Sequence, residues 1–449
     1  MGDLASIVKA YDIRGVVPDQ LDEGVAEAIG AAFAVLTGAG TILTVHDMRT
    51  SSAPLAAAFG RGAASQGADV LAAGLGSTDM LYYGSGELGV PGAMVTASHN
   101  PPQYNGIKLC RAGARPVGIE TGLADIKDLA ERSRVPASAP GSVTRTDLLP
   151  GYAGYLGKLV DLSTIRPLTV AVDAGNGMAG HTVPKVFEGL PITLIPLYFE
   201  LDGTFPNHEA NPIEPANVRD LQRAVTEHRA DIGLAFDGDA DRCFVVDERG
   251  QIVSPSVLTA LIASRELARE PGATIIHNLI TSRGVPEIIA ERGGVAVRTR
   301  VGHSFIKAEM ARTGAVFGGE HSGHFYFRDF WFADSGMLAA LHTLAALGGQ
   351  AGPLSALLAS CTRYHASGEI NSLVADQAAA TAVVRRAFAG RPGVGTDELD
   401  GLTVSTGSWW FNLRPSNTEP LLRLNVEADT EDTMTALRDE VLGLVRKDL

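Results

Sequence analysis

The chain has 449 residues, of which 45% are hydrophobic and 20% are charged, and its formal net charge at neutral pH is −14. This length gives room for three or four domains, each with its own core. The negative charge disfavours nucleic acid and anionic membranes as partners, and no uncharged apolar run reaches the roughly 18 residues of a membrane span.

The N-terminal stretch and the cysteines bear on the cellular compartment of the protein. The N-terminal stretch MGDLASIVKAYDIRG lacks the basic-then-apolar order of a signal peptide. Three scattered cysteines predict neither a disulfide framework nor a zinc site. We therefore expect a cytoplasmic protein with reduced thiols.

Short β-like runs alternate with helix-like runs over about 365 residues. The predicted strands lie at 41–47, 92–97, 168–174, 192–199, 231–236, 273–278 and 295–300. The predicted helices between them include 53–67, 217–229 and 256–270. This alternation predicts α/β units whose sheets are mostly parallel.

Polar or Pro/Gly-rich breaks divide the chain near 134–147, 247–251 and 361–369. They predict three α/β domains at 1–145, 146–249 and 250–366 and a last domain at 367–449. The last domain differs in its pattern. Its predicted strands at 402–406, 409–413 and 421–428 and its predicted helices at 376–389 and 431–446 favour a small α+β domain with an antiparallel sheet.

The stretch TASHNPPQYNGIKL (96–109) places a serine beside a histidine. Ser98 and His99 suggest a hydrolase, with serine as nucleophile and histidine as base. Neighbours in an extended segment point to opposite faces, however, so we expect His99 to be badly placed to take a proton from Ser98. The segment needs partners from elsewhere in the chain.

A second motif, DGDADR (237–242), directly follows an apolar strand. The carboxylates of Asp237, Asp239 and Asp241 can converge and would then favour a hard divalent cation such as Mg²⁺ or Ca²⁺. An EF-hand is excluded because Arg242 stands where that loop needs glycine and because strands flank the motif. A surface turn without metal is the alternative.

The motif GNGMAG (175–180) fits the dinucleotide pattern G-x-G-x-x-G, and Glu200 ends the next strand. On this motif alone, the chain would be an NAD-dependent oxidoreductase. Within this domain only about three strands precede DGDADR, however, and Asp173 would lie beside the pyrophosphate. We therefore favour a tight strand-to-helix turn without a ligand.

The loop GGEHSGHFYF (318–327) carries Glu320, Ser322 and His324 among glycines. The order of its residues does not match a zinc-binding HExxH helix, and Gly323 weakens a helix here. An unpaired carboxylate at Glu320 would suit recognition of sugar hydroxyls. A turn with packed histidines is the alternative.

The loop RPSNTEP (414–420) could form an anion-binding nest, although such stretches are often plain turns. Its candidate phosphate ligands are Arg414, Ser416, Asn417 and Thr418, with their backbone amides. Four further candidate ligands stand alone in the sequence, and each by itself would more often be a surface or core residue: Tyr11, Arg14, Lys108 and His303.

TASHNP, DGDADR, GEHSGH and RPSNTEP fall one to each predicted domain. Together they resemble the α-D-phosphohexomutase superfamily, which includes the phosphomannomutases and phosphoglucomutases. The resemblance spans the chain in order and implies three topologically similar α/β domains and a smaller fourth domain around one cleft.

The resemblance implies that Ser98 is carried as phosphoserine. One Mg²⁺ per chain would be held by Asp237, Asp239, Asp241 and a phosphate oxygen on Ser98. The expected cations around the phosphate are Arg242, His99, Lys108 and Arg14. The family places acid–base chemistry near Arg14 and Lys108; because arginine is a poor base, Lys108 or His303 is chemically better.

The implied reaction converts hexose 6-phosphate and hexose 1-phosphate through a 1,6-bisphosphate that turns end over end. The sugar would contact Tyr11, Glu320, Ser322 and His324, and RPSNTEP would bind the phosphate that is not reacting. The residues within the motifs most resemble those of bacterial phosphomannomutases. A phosphoglucosamine mutase, a strict phosphoglucomutase and a non-catalytic sugar-phosphate binder remain open, and we expect a monomer or a homodimer.

Overall fold

In the computed structural model, residues 4–132, 137–416 and 421–446 are described. Their strands form four separate sheets, which follow one another along the chain. Three sheets mix parallel and antiparallel strands, and the fourth is antiparallel throughout. The predicted fold class, three α/β units and a smaller α+β unit with an antiparallel sheet, is therefore confirmed.

The first unit is built on a seven-stranded sheet with the order β1-β5-β4-β2-β3-β7, and β6 pairs with β5. Its elements are α1 (Leu4–Ile7), β1 (Ile13–Val16), α2 (Glu23–Thr37), β2 (Thr41–His46), α3 (Ser52–Ser65), β3 (Asp69–Leu75), α4 (Thr78–Leu88), β4 (Gly92–Val95), β5 (Tyr104–Arg111), β6 (Arg115–Pro116), a 3₁₀ turn (Ile119–Thr121), α5 (Leu123–Ala130) and β7 (Val143–Arg145). Gly30 and Gly62 let α2 and α3 approach closely, because a Cβ on either residue would overlap the backbone of the other helix.

The second unit has the sheet order β12-β11-β10-β8-β9. Its elements are α6 (Leu149–Leu159), β8 (Leu168–Asp173), α7 (Ala179–Val186), β9 (Ile192–Leu197), a 3₁₀ turn (Pro215–Val218), α8 (Arg219–His228), β10 (Ile232–Phe236), β11 (Cys243–Asp247) and β12 (Ile252–Val253). Strands β9, β8 and β10 are parallel, and β11 and β12 are antiparallel.

The third unit has the sheet order β14-β13-β15-β16-β17. Its elements are α9 (Pro255–Arg269), β13 (Thr274–Asn278), α10 (Gly284–Glu291), β14 (Val295–Thr299), α11 (His303–Thr313), β15 (Phe317–Gly319), β16 (Phe325–Phe327), a 3₁₀ turn (Arg328–Phe330), β17 (Ala333–Asp334), α12 (Gly336–Gly348) and α13 (Leu354–Leu358). Three parallel strands again lead into two antiparallel ones.

The first three units therefore share one strand topology. In each, the first parallel strand lies between the second and the third, and the chain then turns back antiparallel. The expectation of mostly parallel sheets was only half right, because it overlooked these returning strands. The serine loop lies between β4 and β5, and the metal loop lies between β10 and β11. Both motifs therefore occupy the turn where the sheet changes direction.

The fourth unit has the antiparallel order β18-β22-β21-β20-β19. Its elements are β18 (His365–Leu373), α14 (Gln377–Phe388), β19 (Gly395–Asp397), β20 (Leu402–Ser405), β21 (Trp409–Pro415), β22 (Leu421–Ala428) and α15 (Glu431–Val445). The two helices and the sheet enclose a separate core around Phe388 and Phe411. Helix length and hydropathy together leave no candidate for a membrane-spanning helix in the described part of the chain.

Candidate active site

The serine loop presents one hydroxyl at the carboxyl end of β4. Ser98 is buried and adopts a left-handed backbone conformation, with φ of 50°. Thr96 Oγ1 accepts a hydrogen bond from the Ser98 amide at 2.9 Å, and Arg49 donates to the Ser98 carbonyl at 2.9 Å. A non-glycine residue in this conformation must be held by its surroundings, and these two contacts hold it.

The Ser98 hydroxyl reaches residues from two loops. Its Oγ donates to Asp237 Oδ2 at 2.7 Å and accepts from Arg242 at 3.2 Å. It also lies 3.2 Å from His99 Nδ1. The expectation that His99 would point away from Ser98 was wrong, because the backbone at Ser98 is not extended.

His99 is nevertheless a poor base. Arg242 donates a hydrogen bond to His99 Nδ1. The positive charge of Arg242, followed by burial, lowers the pKa of His99 well below its usual range. The ring is therefore neutral in this arrangement, and a positive charge on His99 beside the Ser98 phosphate stays a prediction.

The metal loop follows β10 and brings three carboxylates together. One oxygen each of Asp237, Asp239 and Asp241 lies within 4.8 Å of the others, and all three residues are buried. Ala240 turns the loop with φ of 60°. Within the described residues, Asp239 Oδ1 and Asp241 Oδ1 are buried and have no hydrogen-bond partner. Unpartnered carboxylate oxygens of this kind fit a hard divalent cation.

Two cations partly neutralise this loop. Lys108 Nζ lies 2.7 Å from Asp239 Oδ2 and 2.6 Å from Asp241 Oδ2, and Arg242 lies 2.8 Å from Asp237 Oδ2. Three carboxylates against two cations leave a net negative charge. Burial raises the pKa of Asp237 to about 7 even beside Arg242. A further cation would therefore be favoured electrostatically.

Lys108 is held in its charged form. Burial alone would lower the pKa of its ammonium, but Asp239 and Asp241 outweigh burial and raise the pKa above its usual range. The same contact holds the pKa of Asp239 below its usual range against the effect of burial. In this arrangement the ammonium does not release its proton readily, so the geometry favours Lys108 as a source of positive charge, and its role as general base stays a prediction.

Arg14 and Tyr11 bring the N-terminal segment to the same region. Arg14 on β1 pairs with Gly106 of β5, so it lies on the same sheet face as Lys108 two residues further on. Its guanidinium donates to Asp12 and Asn100. Tyr11 lies against Phe305 of the third unit with ring centroids 6.5 Å apart, and burial raises its pKa.

Glu320 directly follows β15 and is buried. Its carboxylate accepts hydrogen bonds from Tyr326 Oη at 2.7 Å, from the Gly302 amide at 3.1 Å and from Asn278 at 3.4 Å. The prediction of an unpaired carboxylate was therefore wrong. A carboxylate has about four acceptor positions, so capacity remains for a ligand hydroxyl.

His324 connects the sugar loop to the metal loop. Its Nδ1 lies 2.9 Å from Ser322 Oγ and 3.7 Å from Glu320 Oε2. Its Nε2 lies 3.6 Å from Asp241 Oδ1. His324 therefore contacts the other two predicted residues of the sugar loop and lies beside one of the three aspartates.

The fourth unit contributes Arg414 from β21. Its guanidinium donates to Glu369 Oε2 at 2.8 Å, and Glu369 also accepts from Arg423 at 3.3 Å. Burial lowers the pKa of His321, and the charges of Glu369 and Arg414 also act on it. The charge of Arg414 therefore acts on His321 of the sugar loop.

Part of the predicted phosphate loop lies outside the described residues. This applies to Asn417 and Thr418. The side chain of His303, in the third unit, also lies outside the described residues. The amide of Ser416 donates to the Leu421 carbonyl at 2.8 Å. This amide is therefore already hydrogen-bonded within the protein, contrary to the expectation that it would face a phosphate.

The GNGMAG turn packs against the metal loop. Met178 donates its amide to the Gly238 carbonyl at 2.9 Å, and a Cβ on Gly177 would lie 2.7 Å from the same oxygen. Asp173 is buried, and its Oδ2 lies 3.0 Å from His208 Nε2. Main-chain atoms of the metal loop and a buried carboxylate therefore pack against this turn, which disfavours a bound pyrophosphate here.

Sequence reasoning missed the residues that hold these loops in position. Arg49 donates to four carbonyl oxygens of the serine loop, those of Ser98, Asn100, Pro101 and Tyr104. Thr78 donates to Asp239 Oδ2 at 2.6 Å. Neither residue belongs to a motif, and each acts on a residue distant in sequence. Only the position of both residues just beyond a parallel strand could have indicated them.

Sequence profiles described as phosphoglucomutase/phosphomannomutase match four consecutive parts of the chain. The profile of alpha/beta/alpha domain I matches residues 5–134, that of domain II residues 150–250 and that of domain III residues 254–364. The profile of the C-terminal domain matches residues 369–444.

Curated relatives align over nearly the whole chain. A phosphomannomutase of Escherichia coli is 40% identical over 98% of both chains. A protein of Xanthomonas campestris pv. campestris named phosphohexose mutases is 42% identical over 98% of both chains. The crystal structure of a phosphoglucomutase/phosphomannomutase family protein from Burkholderia thailandensis superposes with a TM-score of 0.90 at 32% identity and covers 100% of this chain and 99% of that one.

Proposed function

The chain belongs to the phosphoglucomutase/phosphomannomutase family, and we propose that it interconverts the 6- and 1-phosphates of mannose and of glucose through phosphorylated Ser98. The observation that carries this proposal is the position of Ser98 Oγ, 2.7 Å from Asp237 and 3.2 Å from Arg242. A hydroxyl between an acidic cation site and an arginine is suited to carrying a phosphoryl group. Relatives named phosphomannomutase and phosphohexose mutases support the reaction class.

Asp237, Asp239 and Asp241 would hold one Mg²⁺, with an oxygen of the Ser98 phosphate as a further ligand. The support is their convergence and their two unpartnered oxygens. A bound Mg²⁺ withdraws charge from phosphate oxygens and so stabilises the charge that develops during transfer.

The protein's own residues orient and neutralise the phosphoryl group. Arg242 and Lys108 place positive charge beside Ser98 and the carboxylates. Arg49 holds the backbone of the serine loop through the Ser98 carbonyl. Because phosphoryl transfer passes through a loose transition state, positioning and charge neutralisation contribute more than early proton removal.

Transfer from Ser98 to a hexose phosphate would give a hexose 1,6-bisphosphate, which must reverse its orientation before the second transfer. A second phosphate site is therefore needed, and we assign it to Arg414 with the loop that follows it. The neighbouring sugar loop would hold the sugar through Glu320, Ser322 and His324. Tyr11 would border it from the first unit.

The domain limits 1–145, 146–249, 250–366 and 367–449 remain our proposal, as do a cytoplasmic location and a monomeric or homodimeric state. Hexose phosphates are the proposed partners.

The NAD-dependent alternative is disfavoured because the GNGMAG turn is packed against the metal loop. Nicotinamide fluorescence of NADH should be unchanged by the pure protein.

A coupled assay on mannose 1-phosphate, glucose 1-phosphate and glucosamine 1-phosphate tests the proposal. We expect turnover of the first two, with kcat/KM values within about 10–30-fold of each other. Exclusive turnover of glucosamine 1-phosphate would replace the proposal by phosphoglucosamine mutase. Exclusive turnover of glucose 1-phosphate would replace it by strict phosphoglucomutase, and binding without turnover would indicate a sugar-phosphate binder.

A further inference from the structure

The N-terminus of α4 contacts the metal loop through one residue. Thr78 is fully buried, and its Oγ1 donates to Asp239 Oδ2 at 2.6 Å. Its amide donates to the Asp239 carbonyl at 3.0 Å. Thr78 therefore fixes both the backbone and the carboxylate of Asp239, which is 161 residues away in sequence.

The start of α4 is itself fixed by all three α/β units. Asp79, the next residue, is fully buried and accepts hydrogen bonds from Tyr152 Oη of the second unit and Ser335 Oγ of the third, both at 2.6 Å. It also accepts a hydrogen bond from Ser77, the residue that caps α4. A threonine next to such an anchor has little freedom to move.

The metal loop is also supported from the side of the third unit. Gly336 begins α12 directly after Ser335, and a Cβ there would lie 2.7 Å from the Arg242 carbonyl oxygen and 2.9 Å from that of Ala240. The anchor that holds Thr78 therefore also brings α12 against the far end of the same loop.

The two oxygens of Asp239 differ in their partners. Oδ2 accepts from Thr78 and from Lys108, whereas Oδ1 is buried and has no hydrogen-bond partner among the described residues. Of the two donors, only Thr78 is neutral. It can therefore orient the carboxylate without adding a charge that competes with a divalent cation.

We propose that Thr78 is a positioning residue for the divalent metal: its hydroxyl orients Asp239 so that Oδ1 faces the cation. The inference rests on the proposed metal site of the three aspartates. In this role Thr78 would touch neither the metal nor the sugar phosphate. It acts through Asp239, as hydrogen-bond partners of metal ligands commonly do.

The test compares Mn²⁺ binding by the wild type, Thr78→Val and Thr78→Ser, measured from the free Mn²⁺ signal in electron paramagnetic resonance. Valine keeps the shape and removes the donor, so we expect a Kd about 10–100-fold higher. Serine keeps the donor and should stay within about threefold of the wild type. Thr343→Val is the matched control, because it removes a fully buried hydroxyl that donates to the Ala339 carbonyl inside α12.

The outcomes separate the inference from the metal site itself. A wild-type Kd for Mn²⁺ in folded Thr78→Val overturns the role of Thr78 and leaves the metal site intact. A wild-type protein that binds no Mn²⁺ overturns the metal site and this inference with it. Should Thr78→Val not fold, Thr78→Ala undergoes the same comparison.

A second measurement is the Mg²⁺ dependence of turnover. The apparent KM for Mg²⁺ should rise in Thr78→Val by a larger factor than kcat falls, and an unchanged KM for Mg²⁺ would contradict the proposal.

Discussion

Ser98 and Asp237 are 139 residues apart in sequence, yet the serine hydroxyl donates to the aspartate at 2.7 Å. The contact joins the turn after β4 of the first unit to the turn after β10 of the second. Gly238 makes this approach possible, because a Cβ there would overlap the Ser98 carbonyl oxygen. The residue that would carry the phosphate and a residue that would bind the metal therefore touch through two equivalent positions of one repeated topology.

Ser98→Ala should abolish phosphorylation and turnover. We expect the wild type to carry an adduct of about 80 Da and the variant to lack it, with kcat falling at least about 10³-fold because the nucleophile is gone. Intact-mass spectrometry and the coupled assay measure the two effects. Ser264→Ala, which removes a helix hydroxyl that donates to the Ala260 carbonyl, is the control and should retain both. An adduct that persists in Ser98→Ala would disprove the assignment.

Gly177→Ala should distort the metal loop by steric overlap, although it replaces none of the residues of that loop. The new Cβ would lie 2.7 Å from the oxygen and 2.9 Å from the Cα of Gly238, so the two turns must separate. Overpacking of this kind costs about 1–3 kcal/mol. We expect a lower Tm and weaker Mn²⁺ binding, measured by thermal unfolding and electron paramagnetic resonance.

Gly154→Ala is the matched control for Gly177→Ala. Gly154 lies inside α6, and no atom stands within 4 Å of its added Cβ. Replacing it should stabilise the helix by about 0.5–1 kcal/mol and leave metal binding unchanged. Equal Tm values for Gly177→Ala and the wild type would show that the close approach of the two turns is unimportant.

The sequence predicted the strands and helices well where hydrophobic runs were long. All seven strands predicted in the α/β units are present, as β2, β4, β8, β9, β10, β13 and β14. Several strands were missed, and one of them, β5 (Tyr104–Arg111), carries polar and charged residues, because it forms one side of the site and is not simply part of the core. Local hydrophobicity does not reveal such a strand.

The site was predicted less completely than the fold. The motifs identified Ser98 and the three aspartates, because special residue types at fixed spacing lie within one loop. The supporting contacts of Arg49, Thr78 and Glu369 are made across long sequence separations, and a single sequence carries no signal for such pairs. The charge states of His99 and Lys108 cannot be predicted from a single sequence for the same reason, since each depends on neighbours from another unit.

His342 should make the stability of the chain depend on pH. It is buried and stacked on Phe327, its Nδ1 has no hydrogen-bond partner among the described residues, and burial lowers its pKa from 6.5 to about 3. Between these values the unfolded chain binds a proton that the folded chain does not. Stability contributed by neutral His342 is therefore complete above pH 6.5 and is lost as the pH falls toward 3.

The variant His342→Leu should remove this dependence. Between pH 6.5 and pH 5 the wild type should lose about 2 kcal/mol more unfolding free energy than the variant, since each pKa unit corresponds to about 1.36 kcal/mol. Urea unfolding at the two pH values measures the difference. The exposed His228→Leu is the control and should behave like the wild type. Parallel pH dependence of the wild type and His342→Leu would contradict the prediction.

Arg414→Ala should weaken binding of the phosphate that is not reacting. Loss of a charge-assisted hydrogen bond costs about 1.5–3 kcal/mol, so kcat/KM should fall about 10–100-fold. Because this phosphate also orients the sugar, KM should rise and kcat should fall. Arg391→Ala, which breaks the exposed pair with Glu440 in the same unit, is the control and should keep both constants. An unchanged KM in Arg414→Ala would place the second phosphate elsewhere.

Glu320 should decide which sugars are accepted. The proposed carboxylate contacts are to the O3 and O4 hydroxyls, which glucose and mannose share; these two sugars differ only at C2. Galactose inverts C4 and would misplace one partner of a charged hydrogen bond, at a cost of about 1.5–3 kcal/mol. Galactose 1-phosphate should therefore be about 10–100-fold poorer than glucose 1-phosphate in kcat/KM.

Glu320→Ala tests whether this carboxylate is the cause. Activity on the glucose and mannose phosphates should fall, and the ratio of glucose to galactose activity should shrink toward one, because the group that distinguishes C4 is gone. The Ser98 phosphate should remain, as intact mass can check, since Glu320 contacts Tyr326, Gly302 and Asn278 and not the serine loop. The control Glu188→Ala removes an exposed carboxylate paired with Lys185 and should leave the ratio unchanged. A glucose-to-galactose ratio in Glu320→Ala equal to that of the wild type would mean that another residue recognises C4.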